Sequence, residues 1–487
     1  MTAQDTAGPT VRPRRASGIG GRVHAIRTAL TAWLGRPLAS FHLVLAVFGL
    51  LTVLGLVMVL SASSVVSLNT GQGLYTVFKK QLLYVLIGSV LFWLGLRIPL
   101  ERIRAMSSTG LIISILLLVA VLTPLGATLN GTRSWFKFGP FSFQPVEVCK
   151  LALALWGAHV LVLKRAALHK YRHLLVPVVP VALMMFALVM LQPDLGGTVT
   201  LGVVLIALLW FAGAPMRLFG GLALGGLAGV VMLAIGTGYR QVRVLSFLSP
   251  DEDLAGSNYQ AEQAKLALAD GGLFGRGLGQ GPSKWSYLPN VHNDFIFALI
   301  GDELGLLGCT LVLGLFAMLA VVGMRIATRN IDPWVRMVAA TLTVWLVAQA
   351  AINIGYVVGV LPVTGITLPL ISSGGTSVVV TMLVFGILAN CARHEPEAVS
   401  ALRSQGPGRF GRLMRLTAPE PYKPPKKRKP ARPTTPPRGS QQRRGVPQAE
   451  HRRRAPERQG HPRAGGAALA RQKTSRGNPR NAKGGRR

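Results

Sequence analysis

Three carboxylates stand where this sequence could do chemistry. Asp294 follows His292 and Asn293 in LPNVHNDFIFALIGDELGLLG (288–308), at the mouth of an apolar segment. Glu147 and Lys150 are three apart in SWFKFGPFSFQPVEVCK, a spacing that puts both on one helix face. Asp194 lies in LQPDLGG, a tight break between two apolar runs. Ionisable groups in apolar segments are costly and usually serve a function. A partly desolvated aspartate at a helix N-terminus, kept charged by the helix dipole, suits a general base. Each carboxylate also has a plainer reading. Asp294 and Asp194 are each placed to cap the following helix, and Glu147–Lys150 to form a self-satisfied ion pair. Asp302 and Glu303 lie roughly 12 Å further along the helix from Asp294, where packing or helix-to-helix bonding is expected of them.

Cations accompany these acids. Arg133, Arg240, Arg243, Lys265, Arg276 and Lys284 fall in segments expected on the outer side of a membrane. An arginine fork can bind two phosphate oxygens at once. An acid with several cations at an outer membrane surface fits chemistry on a lipid-linked phosphate ester. Arg276 and Lys284 are the members most easily read as ordinary loop charges.

The elements that must position these groups are membrane helices. The chain has 487 residues, 50% of them hydrophobic, and its mean hydropathy is +0.42. A crossing needs roughly 20 apolar residues. About ten stretches qualify, near 42–63, 81–97, 108–125, 147–163, 174–191, 197–214, 217–236, 295–323, 336–358 and 376–392. These lengths exclude a soluble protein. The first forty residues are polar and Arg-rich, and the first apolar block is a full span, so no cleaved signal peptide is expected. Cys149, Cys309 and Cys391 have no disulfide or zinc spacing.

Basic residues mark the cytoplasmic side. With the N-terminus inside, Arg97, Arg102 and Arg104, then Lys164, Arg165, Lys170 and Arg172, then Arg217, then Arg325, Arg329 and Arg336 all face the cytoplasm. Ten crossings return the C-terminus to the same side. The connection 237–293 then lies outside. Within it AEQAKLALA predicts a short helix and GGLFGRGLGQG a flexible loop without P-loop chemistry. Glu147, Asp194 and Asp294 share the outer depth, which suggests one outward-facing polar cavity.

The chain divides into a disordered basic segment (1–40), an all-α polytopic membrane domain (41–395) and a disordered basic tail (396–487). The two tails supply about +26 of the formal +35 charge. The C-terminal tail is rich in Pro and Arg and cannot bury a core. It suits anionic membrane lipid first, a cytoplasmic partner second, and nucleic acid least, since no folded reader module is visible.

Six stretches together resemble the SEDS family (shape, elongation, division and sporulation). They are SWFKFGPFSFQPVEVCKLAL, LQPDLGGTVTL, YRQVRVLSFLSPDED, NYQAEQAKLALADGGLFGRGLGQG, LPNVHNDFIFALIGDELGLLG and LPVTGITLPLISSGGTS. The resemblance runs from about residue 40 to 395 and is stronger to the division member than to the elongation member. It implies a peptidoglycan glycosyltransferase that polymerises lipid II into glycan strands at the septum. The donor would be an undecaprenyl-pyrophosphate-linked glycan, with inversion at the sugar. Asp294 matches the family's essential aspartate. Arg243, Lys150, Glu147 and Asp194 match its other polar positions, and the same motifs and their surroundings add Arg133, Gln144, Arg240, Gln260, Lys265, His292 and Ser373 as substrate-binding candidates. Val146 and Ser373 stand where relatives often carry Ser and an aromatic. The resemblance implies no nucleotide, and magnesium as a cofactor at the diphosphate. It implies a class B penicillin-binding transpeptidase and other division proteins as partners, and the plasma membrane at the septum as location. A lipid II flippase and a non-enzymatic division scaffold are the competing readings.

Overall fold

The structure, a computed structural model, describes residues 35–69, 75–129, 132–139, 141–225, 257–281 and 293–422. Arg240, Arg243, Lys284 and His292 lie outside these residues. Among the described residues seven helices are long and apolar enough to cross a membrane. They are α1 (Ala39–Asn69), α2 (Thr76–Arg97), α3 (Leu100–Leu122), α4 (Pro145–Leu163), and, later in the chain, α10 (Ile296–Arg329), α11 (Pro333–Val357) and α12 (Thr376–Arg393). Between α4 and α10 come a short helix α5 (Tyr171–Leu175), the shorter apolar helices α6 (Val178–Met190), α7 (Leu195–Phe211) and α8 (Met216–Gly225), and a polar helix α9 (Ser257–Asp270). Each of the ten expected apolar stretches thus has a helix among the described residues.

Burial separates an inner set from an outer one. In α12, 89% of the apolar window is buried, against 22% in α2. Leu83, Leu86, Ile87 and Val90 of α2 stay exposed, a face suited to lipid. The two helices approach closely through small residues: a Cβ at Gly386 would lie 2.3 Å from the Phe92 carbonyl. Without a hydrophobic drive between helices in lipid, such backbone proximity supplies the packing energy. Helix α10 packs on α1 and α11, and α4 on α3, α7 and α11.

Four features differ from the sequence reading. The segment before α4 is not helical or loop-like: β1 (Ala127–Leu129), β2 (Thr132–Phe138) and β3 (Phe141–Phe143) form a small antiparallel sheet. Alternating aromatics in WFKFGPFSF favour that pairing. Arg102 and Arg104, expected in a loop, lie inside the first turns of α3.

The third difference concerns the glycine-rich segment 271–281, which is packed rather than flexible. Helix α10 breaks at Gly305, whose φ is +64° and ψ −162°. The break frees helical N–H and C=O groups, which cannot be left unpaired in an apolar setting. The glycine segment pairs them. Leu306 and Leu307 N–H donate to the Gly272 and Leu273 carbonyls at 2.9 and 3.3 Å, and Arg276 and Gly277 N–H donate to the Asp302 and Glu303 carbonyls at 2.9 and 3.0 Å. Arg276 also forms ion pairs with Asp270 at 3.1 Å and with buried Asp302 at 3.8 Å. Glu303 accepts from the Ser61 hydroxyl at 2.6 Å. Asp302 and Glu303 therefore have the packing role expected of them. Ser61→Ala should cost about 1.5–3 kcal/mol, the range for a hydrogen bond to a charged group. Thermal unfolding in detergent would measure it.

The fourth difference is the domain edge, expected at 395. Residues 396–422 are packed, as α13 (Pro396–Ser404), α14 (Arg409–Leu413) and an extended strap. Trp93 Nε1 holds the Met414 carbonyl at 3.0 Å, Arg393 holds that of Thr417 at 2.6 Å, and Arg329 pairs with Glu397 at 2.8 Å. Apolar residues placed amid the charge, Phe410 and Leu416 among them, give this part enough to bury.

Candidate active site

Asp294 stands one residue outside the helix cap. Helix α10 starts at Ile296, with Phe295 at the cap position and no side-chain cap bond there. The main-chain carbonyl of Asp294 is therefore not used by the helix, and α11 takes it. Asn353 Nδ2 lies 3.0 Å from it and the Tyr356 hydroxyl 2.9 Å. Both groups also reach the Ile366 carbonyl, each at 2.7 Å. Two amide hydrogens and one hydroxyl hydrogen thus hold two carbonyls together. The Phe295 ring packs edge-on against Tyr356 at 5.8 Å. The loop carrying Ile366 runs beside the carboxylate: a Cβ on Gly365 would sit 3.8 Å from Asp294 Oδ2.

The same loop, 361–375, connects to the other acids. Gln349 Nε2 donates to the Thr367 carbonyl at 3.0 Å, while its Oε1 accepts from Trp345 Nε1 at 2.9 Å and from Lys150 Nζ at 3.3 Å. Lys150 pairs with Glu147 at 2.9 Å and lies 5.1 Å from the centre of the Trp345 ring. It is only 1% exposed. Its ammonium is thus held by protein partners on several sides. The second Glu147 oxygen is buried without a hydrogen-bond partner.

Asp194 does cap a helix. Its Oδ1 accepts from Gly197 N–H at 2.7 Å at the start of α7, and its Oδ2 accepts from Gln144 Nε2 at 3.0 Å. Burial pushes its carboxyl up from the ordinary aspartate value, against the Gly197 N–H and the nearby Lys150 charge. The start of α7 abuts the loop, since a Cβ at Gly196 would meet the Thr364 carbonyl at 2.8 Å. Gln144 N–H donates to Thr376 Oγ1 at 3.1 Å, tying α4 to α12. Asp294, Asp194, Glu147, Lys150 and Gln144 therefore surround one loop.

The remaining candidates are less closely joined. Ser373 is half-buried in the same loop. Lys265 is exposed on α9, pairs with Glu262, and lays its aliphatic stem against Gly359. Gln260 lies one turn earlier on α9, half-buried. Arg133 is exposed on β2 and its Nε bonds the Gly126 carbonyl at 3.2 Å, within its own hairpin region rather than in the cluster.

Sequence reasoning missed Trp345, Gln349, Asn353 and Tyr356. Their signal was present: spacings of four, four and three put these polar-tipped side chains on one face of an otherwise apolar span, VWLVAQAAINIGYVV. Among the described residues no three His, Cys, Asp or Glu side chains converge on a common point. Asp194 already spends both oxygens, so the described residues do not fit a protein-built magnesium cage.

Comparison with known proteins gives this geometry its context. A family of cell cycle proteins comprising FtsW, RodA and SpoVE matches residues 41–397. The chain is 50% identical over 429 residues to a probable peptidoglycan glycosyltransferase FtsW of Mycobacterium tuberculosis, covering 87% of this chain and 81% of that one. It is 40% identical over 347 residues to stage V sporulation protein E of Bacillus subtilis, covering 71% and 94%. Among solved structures, a peptidoglycan synthase complex that coordinates polymerization and crosslinking contains a chain with TM-score 0.60 and 27% identity, covering 75% of this chain and 99% of that one. The rod shape determining protein RodA of Thermus thermophilus has TM-score 0.54 and 27% identity over the same shares. This chain is therefore a multi-pass membrane protein of the FtsW–RodA–SpoVE family, the SEDS family, and is FtsW-like within it.

Proposed function

We propose that the protein is a peptidoglycan glycosyltransferase that polymerises lipid II during septal wall synthesis, with Asp294 as general base. The observation that carries this reading is the placement of Asp294. Its main chain is pinned by Asn353 and Tyr356, and its carboxylate lies along the Gly365 backbone, off the end of the helix. The FtsW relatives support the substrate class.

In this mechanism Asp294 takes the proton from the free hydroxyl of lipid II's terminal sugar. That oxygen bonds to the anomeric carbon of the lipid-linked donor, and the bond to the diphosphate breaks with inversion. Undecaprenyl pyrophosphate leaves with the bonding electrons. The leaving group is already activated, so the protein supplies position, a base and cations. Positioning contributes roughly 7–11 kcal/mol and a general base about 10²–10⁴-fold. Arg243 and Arg240 would meet the diphosphate, with His292, Gln260, Lys265, Arg133 and Ser373 around the sugars and Glu147, Lys150, Asp194 and Gln144 shaping the floor. Magnesium, where it takes part, would be held by diphosphate oxygens and water rather than by a side-chain cage. The active site faces outward, both termini face the cytoplasm, and the protein works at the septum with a class B penicillin-binding transpeptidase and other division proteins.

The test is reconstitution of the full chain with labelled lipid II, with and without that transpeptidase. Glycan strands are the expected product. Rapid transbilayer movement of lipid II without polymer would replace this reading by a flippase, and neither activity would leave a scaffold. Within the same assay Tyr356→Phe should lower turnover roughly ten- to a hundredfold, the scale of a small misplacement of reacting groups. Its melting temperature should stay within a few degrees of wild type, because the ring contact with Phe295 is kept.

A further inference from the structure

A cavity of about 780 Å³ opens at the end of the bundle away from Asp294. Helix α10 separates the two: Asp294 precedes its first turn, and Asn330, on the cavity wall, follows its last residue. Beyond the break at Gly305, the continuous stretch 306–329 alone spans roughly 35 Å. The cavity is therefore no part of the Asp294 site. Its walls come from the α2–α3 turn, the α10–α11 turn, the end of α12, α13, and the strap at 417–422.

These walls are fixed by buried polar side chains. Asn390, 2% exposed, donates to the Gly95 and Ile98 carbonyls at 3.0 and 2.8 Å, holding the α2–α3 turn. Asn330, 4% exposed, joins the Ile326 and Cys391 carbonyls at 2.8 and 3.2 Å, holding the α10 end to α12. Arg393 and Arg403 hold the strap through the Thr417 and Pro419 carbonyls at 2.6 and 3.4 Å. A cavity whose walls are pinned from several elements is preformed, as ligand sites usually are.

Its charge is cationic. Arg97, Arg102, Arg104, Arg393 and Arg403 line it, and no lysine does. Three carboxylates also line it, Glu101, Asp332 and Glu420, which leaves an excess of two cations. Asp332 is spent on Trp334 N–H at 2.8 Å. Arg97 is stacked on Trp93 at 4.8 Å, which orients its guanidinium without using its hydrogens. Arg104 donates Nε to His159 at 3.0 Å, and Arg102 has no side-chain hydrogen bond or ion pair among the described residues. Guanidinium donors on three of the walls thus remain for an acceptor with several oxygens, which is the chemistry of phosphate. The basic loops assign this end to the cytoplasmic headgroup level, where pockets between membrane helices take anionic lipid.

We infer that this cavity is a binding site for a phosphate group, as carried by an anionic phospholipid headgroup or by a free phosphate compound. The test uses the purified full chain in phosphatidylcholine nanodiscs, titrated with phosphatidylglycerol and, separately, with inorganic phosphate. Arg97→Gln/Arg102→Gln changes two exposed rim residues. Arg165→Gln/Arg172→Gln removes equal charge from exposed positions outside the cavity. Saturable phosphatidylglycerol binding is expected, weakened about 30-fold by the first pair and unchanged by the second. If inorganic phosphate displaces the lipid, the phosphate group alone is recognised. If it does not while the lipid still depends on the arginines, the headgroup in its membrane is the ligand. Equal weakening by both pairs would mean general attraction to charge and would overturn the site, as would no saturable binding of either probe. Should the first pair not fold, Arg102→Gln/Arg403→Gln asks the same question. Polymerase activity is not the readout, so the result is independent of the catalytic reading.

Discussion

Asp294→Asn should lower lipid II polymerisation by about 10²–10⁴-fold, the range a general base contributes. The substitution keeps the size and shape of the side chain and removes the group that takes the proton. Asn353 and Tyr356 hold its main-chain carbonyl, which the substitution leaves in place, so the variant should fold and bind lipid II like wild type. The loss should fall on turnover and leave the KM for lipid II nearly unchanged. Glu at the same position should recover little, because one added methylene displaces the carboxylate from its place beside Gly365. Polymerisation at the wild-type rate by a folded Asn variant would remove Asp294 from the mechanism. A parallel loss in melting temperature would make it a structural residue instead.

Lys150→Met should destabilise the fold more than Ser61→Ala or Tyr356→Phe does. Lys150 is buried, and its loss strands Glu147 with one oxygen newly unpaired and the other already without a partner. Breaking a buried ion pair from one side costs about 3–5 kcal/mol. The double variant Glu147→Gln/Lys150→Met removes the charge as well, and should recover most of that stability. With the Glu147→Gln single variant added, a double-mutant cycle in denaturant or thermal unfolding gives the interaction energy. A Lys150→Met protein as stable as wild type would show that water reaches Glu147. If the double variant is stable but inactive, the pair also serves the reaction, as a lysine near a diphosphate would.

Some of this was readable without coordinates, and the reason is locality. A run of apolar residues long enough to cross a bilayer becomes a helix whatever else surrounds it, because its backbone must pair internally there. The helices around 42–63 or 376–392 follow from that alone, and so does the suspicion attached to any carboxylate placed at their ends. The mutual approach of Asp194, Glu147 and Asp294 rested on depth, which topology supplies.

Other features depended on which segments meet. Gly305 is a lone glycine in an apolar stretch, and nothing local says that the carbonyls of Gly272 and Leu273 arrive to pair the N–H groups it frees. Gln349 and Asn353 read as two amides in a helix until the 361–375 loop is laid over them. Charge pattern gave residues 396–422 to a disordered tail, yet Trp93 and Arg329, distant in the chain, and Arg393, at the end of α12, hold them. The sequence by itself determined which stretches are helices, which acids are costly to keep, and where the positive charge lies. Tertiary structure alone decided how the broken helix is completed, what holds Asp294 in place, and that five arginines from four segments enclose one cavity. The physical reason is the same in each case: a hydrogen bond or an ion pair is set by the distance between two atoms in space, and composition along a chain does not specify that distance.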